Sequence, residues 1–172
     1  MKSRIMLTLI VTSLMMGCQA TSSPSELPPR IAFVSDRDGN AEIYIMDRDG
    51  SNLTNLTHNE GGNDAMPTWS PQANAFAYVT KKDKGGFTIR RMNIDGSEQT
   101  VLSEKPPLIP IPLVWNPTGE WLAFGSEAAA DVYVISATGE TLRNLSDFKG
   151  RDDFQTWSPD GESLLFTSSR FD

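Results

Sequence analysis

Three short stretches decide how the chain is read: Trp69-Ser70-Pro71, Trp115-Asn116-Pro117 and Trp157-Ser158-Pro159. Successive tryptophans stand 46 and 42 residues apart. About five residues beyond each motif comes a short apolar run: Phe76-Ala77-Tyr78-Val79-Thr80, Leu122-Ala123-Phe124-Gly125-Ser126 and Leu164-Leu165-Phe166-Thr167-Ser168. A fourth copy precedes them, Ile31-Ala32-Phe33-Val34-Ser35. Column by column these read large, small, aromatic, small or β-branched, hydroxyl, with Leu165 bulky at a small position. Self-similarity at a fixed period of this length is the mark of a repeat architecture.

Further columns stay in register. A second run carries Ile43-Tyr44-Ile45-Met46, Ile89-Arg90-Arg91-Met92 and Val132-Tyr133-Val134-Ile135, and leads to turns at Gly50, Gly96 and Gly139. A third, shorter run ends in Leu56-Thr57, Leu102-Ser103 and Leu145-Ser146. Asp49-Gly50, Asp95-Gly96 and Asp160-Gly161 supply hairpin chemistry, because glycine accepts positive φ. Four short strands per period predict an all-β fold, a β-propeller of four-stranded antiparallel blades. A β-sandwich of short strands leaves the three Trp-x-Pro turns unexplained. We name the strands of a blade A (at Trp-x-Pro), B, C and D. The count is three strands, then four, four and two. That is about three and a quarter blades, fewer than a closed ring needs, so the propeller is expected to be an incomplete ring over residues 31–172. Open blade faces and free strand edges favour association. Three explanations stay open: a fragment or truncated gene, a homodimer completing the ring, or a short open form with protected ends.

Length and composition narrow the chemistry. The 172 residues carry 15 Lys and Arg, 22 Asp and Glu, a net charge of −7, one Cys and one His. One cysteine excludes a disulfide framework, and a zinc site of Cys and His is not expected. The acidic balance speaks against a nucleic-acid surface. No cofactor is implied. Asp36-x-Asp38-Gly39-Asn40 and Asp47-x-Asp49-Gly50 look like pieces of a calcium loop. Their glycine is fourth, not sixth, and no Glu stands at the twelfth position, so they read as turns and no metal is expected. Asn52-Leu53-Thr54, Asn55-Leu56-Thr57 and Asn144-Leu145-Ser146 match glycosylation sequons but coincide with the repeated strand ends. No G-x-S-x-G elbow occurs, and His58, the only histidine, lies in a polar loop, so the chain is expected not to be an enzyme.

The N-terminus reads differently. Lys2 and Arg4 precede an apolar run from Ile5 to Met16, too short to span a bilayer, which takes about 20 residues. Residues 1–17 form a signal-peptide pattern. Leu14-Met15-Met16-Gly17-Cys18 resembles a bacterial lipobox, which implies lipidation of Cys18 and attachment to the membrane through it alone. Residues 18–30, rich in Ser and Pro, read as a flexible tether. Gln19 is not the Asp that retains such proteins at the inner membrane, so the expected location is periplasm-facing and lipid-anchored at the outer membrane.

Trp157-Ser158-Pro159-Asp160-Gly161-Glu162, Ser35-Asp36-Arg37-Asp38-Gly39-Asn40 and Ile43-Tyr44-Ile45-Met46-Asp47-Arg48-Asp49-Gly50 resemble the repeat of the TolB-like propellers. The resemblance covers roughly residues 31–172. It implies protein–protein interaction in the cell envelope, with partners such as a peptidoglycan-associated lipoprotein. The same blades also occur in prolyl-oligopeptidase-type proteases, so an N-terminal propeller fragment of such a protease is the alternative, and a glycan-binding propeller a third. Topology selects the recognition face. A–B and C–D turns share one end of the blades and are short. B–C loops (36–41, 81–86, 127–130) and D–A loops (58–66, 104–112, 147–154) share the other and vary more, as recognition loops do. The candidate partner-binding residues there are His58, Asn63, Asp64, Lys81, Lys82, Lys84, Asp152 and Asp153.

Overall fold

The protein is described from a computed structural model covering residues 29–104, 110–126, 130–147 and 149–169. Cys18, the 1–17 signal pattern and the tether up to residue 28 lie outside the described residues, as does the 127–129 part of one expected loop. Every described strand belongs to one of four antiparallel sheets. The first contains β1 (Arg30–Ser35), β2 (Glu42–Asp47) and β3 (Thr54–Asn55). The second contains β4 (Gly62–Trp69), β5 (Ala75–Lys82), β6 (Phe87–Asn93) and β7 (Thr100–Ser103). The third contains β8 (Pro110–Trp115), β9 (Trp121–Ser126), β10 (Asp131–Ser136) and β11 (Leu142–Asn144). The fourth pairs β12 (Asp152–Trp157) with β13 (Leu164–Ser168). The expected pattern of three, four, four and two strands is thus what the described residues form.

The sheets pack face to face. Ile43, Ile45 and Leu56 of the first meet Phe76, Tyr78 and Met92 of the second. Ala77, Val79, Ile89 and Leu102 of the second meet Leu113, Trp115, Leu122 and Phe124 of the third. Central strands covered on both sides lose the simple apolar/polar alternation, and β5 is buried from Ala75 to Thr80. Ala77 and Ala123 have no accessible surface, which explains the small column: a neighbouring sheet lies directly over it. The bulky Leu165 at that column is 61% exposed. On the first sheet, the face opposite Ile43 and Ile45 carries stacked Phe33 and Tyr44, with the Arg37 guanidinium 4.6 Å from the Tyr44 ring centroid.

The Trp-x-Pro motif has two jobs. Its indole ties one blade to the one before. Trp115 Nε1 donates to the Thr68 carbonyl and Trp157 Nε1 to the Val114 carbonyl, each at 3.2 Å. The acceptors are equivalent, each one residue before the preceding motif's tryptophan. The middle residue closes the A–B turn: Asn116 Oδ1 accepts the Glu120 and Trp121 N–H groups at 3.0 Å, and Ser158 Oγ accepts the Ser163 N–H at 2.9 Å.

Each A strand begins earlier than the apolar pattern suggests. β4 starts at Gly62 and β12 at Asp152, inside what the sequence marks as D–A loops. All three A strands carry a register shift within the four residues before the motif tryptophan, between Ala65 and Thr68, Ile111 and Leu113, and Phe154 and Thr156. The bulge adds local twist and breaks the period-two signal by which a strand is recognised.

The turn glycines separate local strain from packing. Gly50 and Gly139 hold equivalent turns at φ of +86° and +79°. A Cβ on Gly50 would meet open space, whereas one on Gly139 would lie 2.8 Å from Leu102 Cα and O of the preceding blade. Gly50→Ala is therefore expected to cost about 1 kcal/mol of backbone strain. Gly139→Ala should cost clearly more, and urea denaturation of the two variants checks the order. Trp115→Phe should lower stability by about 1–3 kcal/mol, because it leaves the Thr68 carbonyl without its donor and removes buried ring volume.

Candidate functional site

At the B–C and D–A end of the blades, backbone and buried carboxylates knit neighbouring sheets together. The Asp64 N–H donates to the Ala41 carbonyl at 2.7 Å, and the Asp152 N–H to the Ala130 carbonyl at 2.8 Å. Asp64 is 1% exposed; its Oδ1 accepts from Thr80 Oγ1 at 2.5 Å and Asn59 Nδ2 at 3.1 Å. Glu42, also buried, accepts the Asn59 N–H at 2.8 Å, Asn40 Nδ2 at 2.7 Å and the Thr57 hydroxyl. Asn59 thus serves both acids. Burial pushes the Asp64 carboxyl above its ordinary value of 3.8, the Thr80 and Asn59 hydrogen bonds oppose it, and Glu42 adds to the rise.

Asparagine at the strand ends extends these networks. Asn55 Oδ1 accepts the Thr57 and His58 N–H groups, and Asn144 Oδ1 those of Ser146 and Asp147. Asn144 Nδ2 reaches Asp131 Oδ2 at 2.8 Å and the Tyr133 hydroxyl at 3.2 Å; Asn55 Nδ2 reaches the Tyr44 hydroxyl at 3.3 Å. These Asn-Leu-Thr and Asn-Leu-Ser sequences therefore act as turn locks.

The structure divides the eight candidate residues. His58 is exposed, with a left-handed backbone at φ 45°. Asn63 and Lys81 face each other across β4 and β5, and Asn63 Oδ1 accepts the Ala41 N–H at 2.9 Å. Lys82 and Lys84 line a groove of about 360 Å³ with Asn59, Gly61, Thr80, Asp83, Thr88 and Arg90. Lys82 Nζ meets Glu104 Oε1 at 2.9 Å, and this contact holds the Glu104 carboxyl below its ordinary value. Asp152 and Asp153 belong elsewhere. They line a smaller pocket of about 170 Å³ with Pro112, Ser126 and Arg151, where Asp153 pairs with Arg151 at 2.9 Å.

The placement of two candidate residues needs correction. Asp64 and Asp152 are not loop residues open to a partner; they are 1% and 2% exposed, because the A strands begin at Gly62 and Asp152 and draw them into the sheets. The D–A loops shrink accordingly. The calcium-like fragment is a turn: Asp49 Oδ1 accepts both the N–H and the hydroxyl of Ser51, and Asp47 accepts from Asn52. Among the described residues no group of three or more His, Cys, Asp or Glu is placed to hold a metal ion. The sequence reading missed Asn59, Thr88, Arg90 and Glu104. The repeat alignment itself could have flagged Thr88 and Arg90, since each departs from its column.

The "Tol-Pal system protein TolB" of Desulfosudis oleivorans is 33% identical over 130 residues, 74% of this chain and 29% of its own length. The "Protein TolB homolog" of Chlorobium luteolum is 33% identical over 154 residues, 88% of this chain and 34% of its own. The crystal structure of TolB from Acinetobacter baumannii superposes with a TM-score of 0.64 at 21% identity, covering 83% of this chain and 37% of that one.

The chain carries TolB-like propeller blades. It spans about a third of the length of these curated relatives. No family model matches it. The expectation that the chain is not an enzyme is corrected. The "Uncharacterized peptidase YuxL" of Bacillus subtilis is 28% identical over 140 residues, 81% of this chain and 20% of its own. An oligogalacturonate lyase superposes with a TM-score of 0.59 at 21% identity, over 73% of this chain and 37% of that one. A prolyl endopeptidase gives 0.56 at 20%, over 74% and 22%. TolB-like blades therefore do not set a chain apart from enzymes, and the absence of a G-x-S-x-G elbow cannot carry that exclusion.

The raised Asp64 carboxyl predicts a pH effect of definite sign. A folded-state pKa above 3.8 means that the folded protein holds the proton longer than the unfolded chain. This group's contribution therefore falls as pH rises from 3.8 through the folded value. Asp64→Asn removes that fall while keeping an acceptor for Thr80. In urea denaturation from pH 3.5 to 7, wild type should lose stability relative to Asp64→Asn as pH rises. A constant difference would show that Asp64 ionises normally.

Proposed function

We propose that the chain works as a TolB-like propeller in the periplasm, tethered to the outer membrane through lipidated Cys18 and binding a protein of the cell envelope. On this reading residues 1–17 are the signal peptide, 18–30 the tether and 31–172 the propeller. The similarity to proteins named TolB carries the reading, and the basic run before the first apolar stretch and the Gly17-Cys18 junction support the anchor. The partner surface is the B–C and D–A end, where His58, Lys81 and Lys84 are exposed beside Lys82 and Asn63. A peptidoglycan-associated lipoprotein is the first partner to test. Cys18→Ser should move the protein from the membrane to the soluble periplasmic fraction. The triple change Lys81→Glu, Lys82→Glu and Lys84→Glu should abolish capture of the partner by the purified full chain. Capture unchanged by the triple change would remove the lysines from the surface.

A second reading has one observation of its own, the 28% identity to an uncharacterized peptidase over 140 residues. There the blades would belong to a longer peptidase. Reading the gene beyond Asp172 tests it: a downstream G-x-S-x-G with Asp and His supports it, and a stop codon removes it.

A further inference from the structure

The first and third blades each build a polar network around a buried carboxylate at the start of strand C, and the second blade does not. The repeat aligns Glu42, Thr88 and Asp131 at the start of the C strand, Tyr44, Arg90 and Tyr133 two residues on, and Asn55, Val101 and Asn144 on the D strand. Tyr44 pairs with Asn55, Arg90 with Val101 and Tyr133 with Asn144, so the columns are structurally equivalent. In the outer two copies a buried carboxylate accepts from its surroundings: Glu42 from Asn59, Asn40 and Thr57, and Asp131 from Asn144 and Ser146. In the second blade three members of the network change together. The carboxylate becomes Thr88, the tyrosine becomes Arg90 and the asparagine becomes Val101.

The result is a donor-rich site with its acceptor missing. Thr88 is 1% exposed, lines the groove, and its Oγ1 has no hydrogen-bond partner among the described residues. Arg90 Nε is buried and likewise has none, although the same guanidinium lies beside the Tyr78 hydroxyl. A buried polar group left without a partner is costly, so such atoms point to a group that completes them. Lys82 and Lys84 border the same groove. Against these donors stand the carboxylates of Asp83 on the groove wall, Glu104 on Lys82, and the buried Asp64, which is taken up by the groove residues Thr80 and Asn59 and, with its carboxyl pushed above the ordinary value, holds its proton longer than a free carboxyl. The Lys82–Glu104 pair is a solvent-exposed ion pair, and such pairs contribute little and yield readily to a competitor.

We propose that this groove binds a carboxylate, which takes the place held by Glu42 and Asp131 in the neighbouring blades, accepting from Thr88 Oγ1 and Arg90 Nε and facing Lys82 and Lys84. The inference names the chemistry of the partner surface proposed above and rests on that reading. A carboxylate on an acidic polypeptide and a free carboxylate offer the same group, and charge-assisted bonds from an arginine favour either.

The test titrates the full chain with two probes, a blocked hexaglutamate peptide and glutarate, and follows the backbone amides of 59–61 and 80–90 by NMR. Two variants install what the sibling blades already carry, Thr88→Asp and Arg90→Tyr, so the fold has precedent for both; thermal melting confirms it. Arg48→Glu, on a C–D turn at the other end of the blades, is the charge control. We expect saturable shifts with at least one probe, a loss of affinity of about tenfold or more in each sibling variant, and wild-type affinity in Arg48→Glu. Tighter binding of the peptide than of glutarate assigns the carboxylate to a polypeptide; equal binding assigns it to a small molecule. Neither probe shifting these amides, or sibling variants that bind as wild type, or an equal loss in Arg48→Glu, would overturn the site. Partner capture that depends on Lys81, Lys82 and Lys84 would then still stand, so the two proposals fail separately.

Discussion

The burial of each central sheet on both faces governs everything else in this chain. A strand buried on two sides cannot use polar alternation to find its register. Register has to come from specific contacts between blades. The indole bonds from Trp115 to Thr68 and from Trp157 to Val114 are such contacts, because each joins equivalent points of successive repeats. The alanine column sets how near the sheets can come, and Gly139 lets a turn sit directly on Leu102. Three features that look like unrelated sequence signatures therefore follow from one packing requirement.

Much of the fold is legible in the sequence because this requirement repeats. A tryptophan, a small residue and an aromatic recur at fixed offsets, and each recurrence marks the same contact. The A strands are the exception. Gly62, Asn63 and Asp64 look like a turn, yet they form the first residues of β4. What holds them is the backbone bond to Ala41 and the pairing with β5, neither of which has a side-chain signature. The bulge at Met66 and Pro67 then shifts the phase of the strand. The candidate site suffered from the same blindness. Lys82 and Lys84 announce themselves as a basic run. Asp64 and Asp152 are charged and read as exposed, whereas Asp64 is held by Thr80 on the next strand and Asp152 by the Ala130 carbonyl of the preceding blade.

The two ends of the blades consequently carry different burdens. At the A–B and C–D end the turns are closed by their own residues: Asp49 and Asp95 each accept from a serine two positions on. Those bonds hold both carboxyls below the ordinary value and commit them locally. Two amides at this end also cross to a neighbouring blade, Gln72 Nε2 to the Thr118 carbonyl at 2.8 Å and Gln99 Nε2 to the Leu56 carbonyl at 3.0 Å, whereas at the B–C and D–A end the cross-blade bonds include buried carboxylates. Asn40 on one loop donates to the carbonyls of Asn59 and Gly62 on the next, at 2.6 and 2.9 Å. Variation at this end is therefore constrained by the neighbouring blade.

That constraint explains why a recognition site fits the second blade better than the first. Around Glu42 every polar atom is already shared: Asn59 serves Glu42 and Asp64 together, and Thr57 bonds both Glu42 and the Ile43 N–H. A ligand there would have to displace bonds that hold two blades together, at the cost of leaving buried groups unpaired. The exchange of carboxylate, tyrosine and asparagine for Thr88, Arg90 and Val101 removes the C and D strands of the second blade from such a network while leaving the strand pairing of β5, β6 and β7 intact. Binding can then be gained without loosening the clasp, because Thr88 Oγ1 and Arg90 Nε take no part in it, although Asn59 and Thr80 on the same groove wall do. A repeat architecture makes such a division of labour available: copies that keep the lock carry the fold, and the copy that loses it is released for recognition.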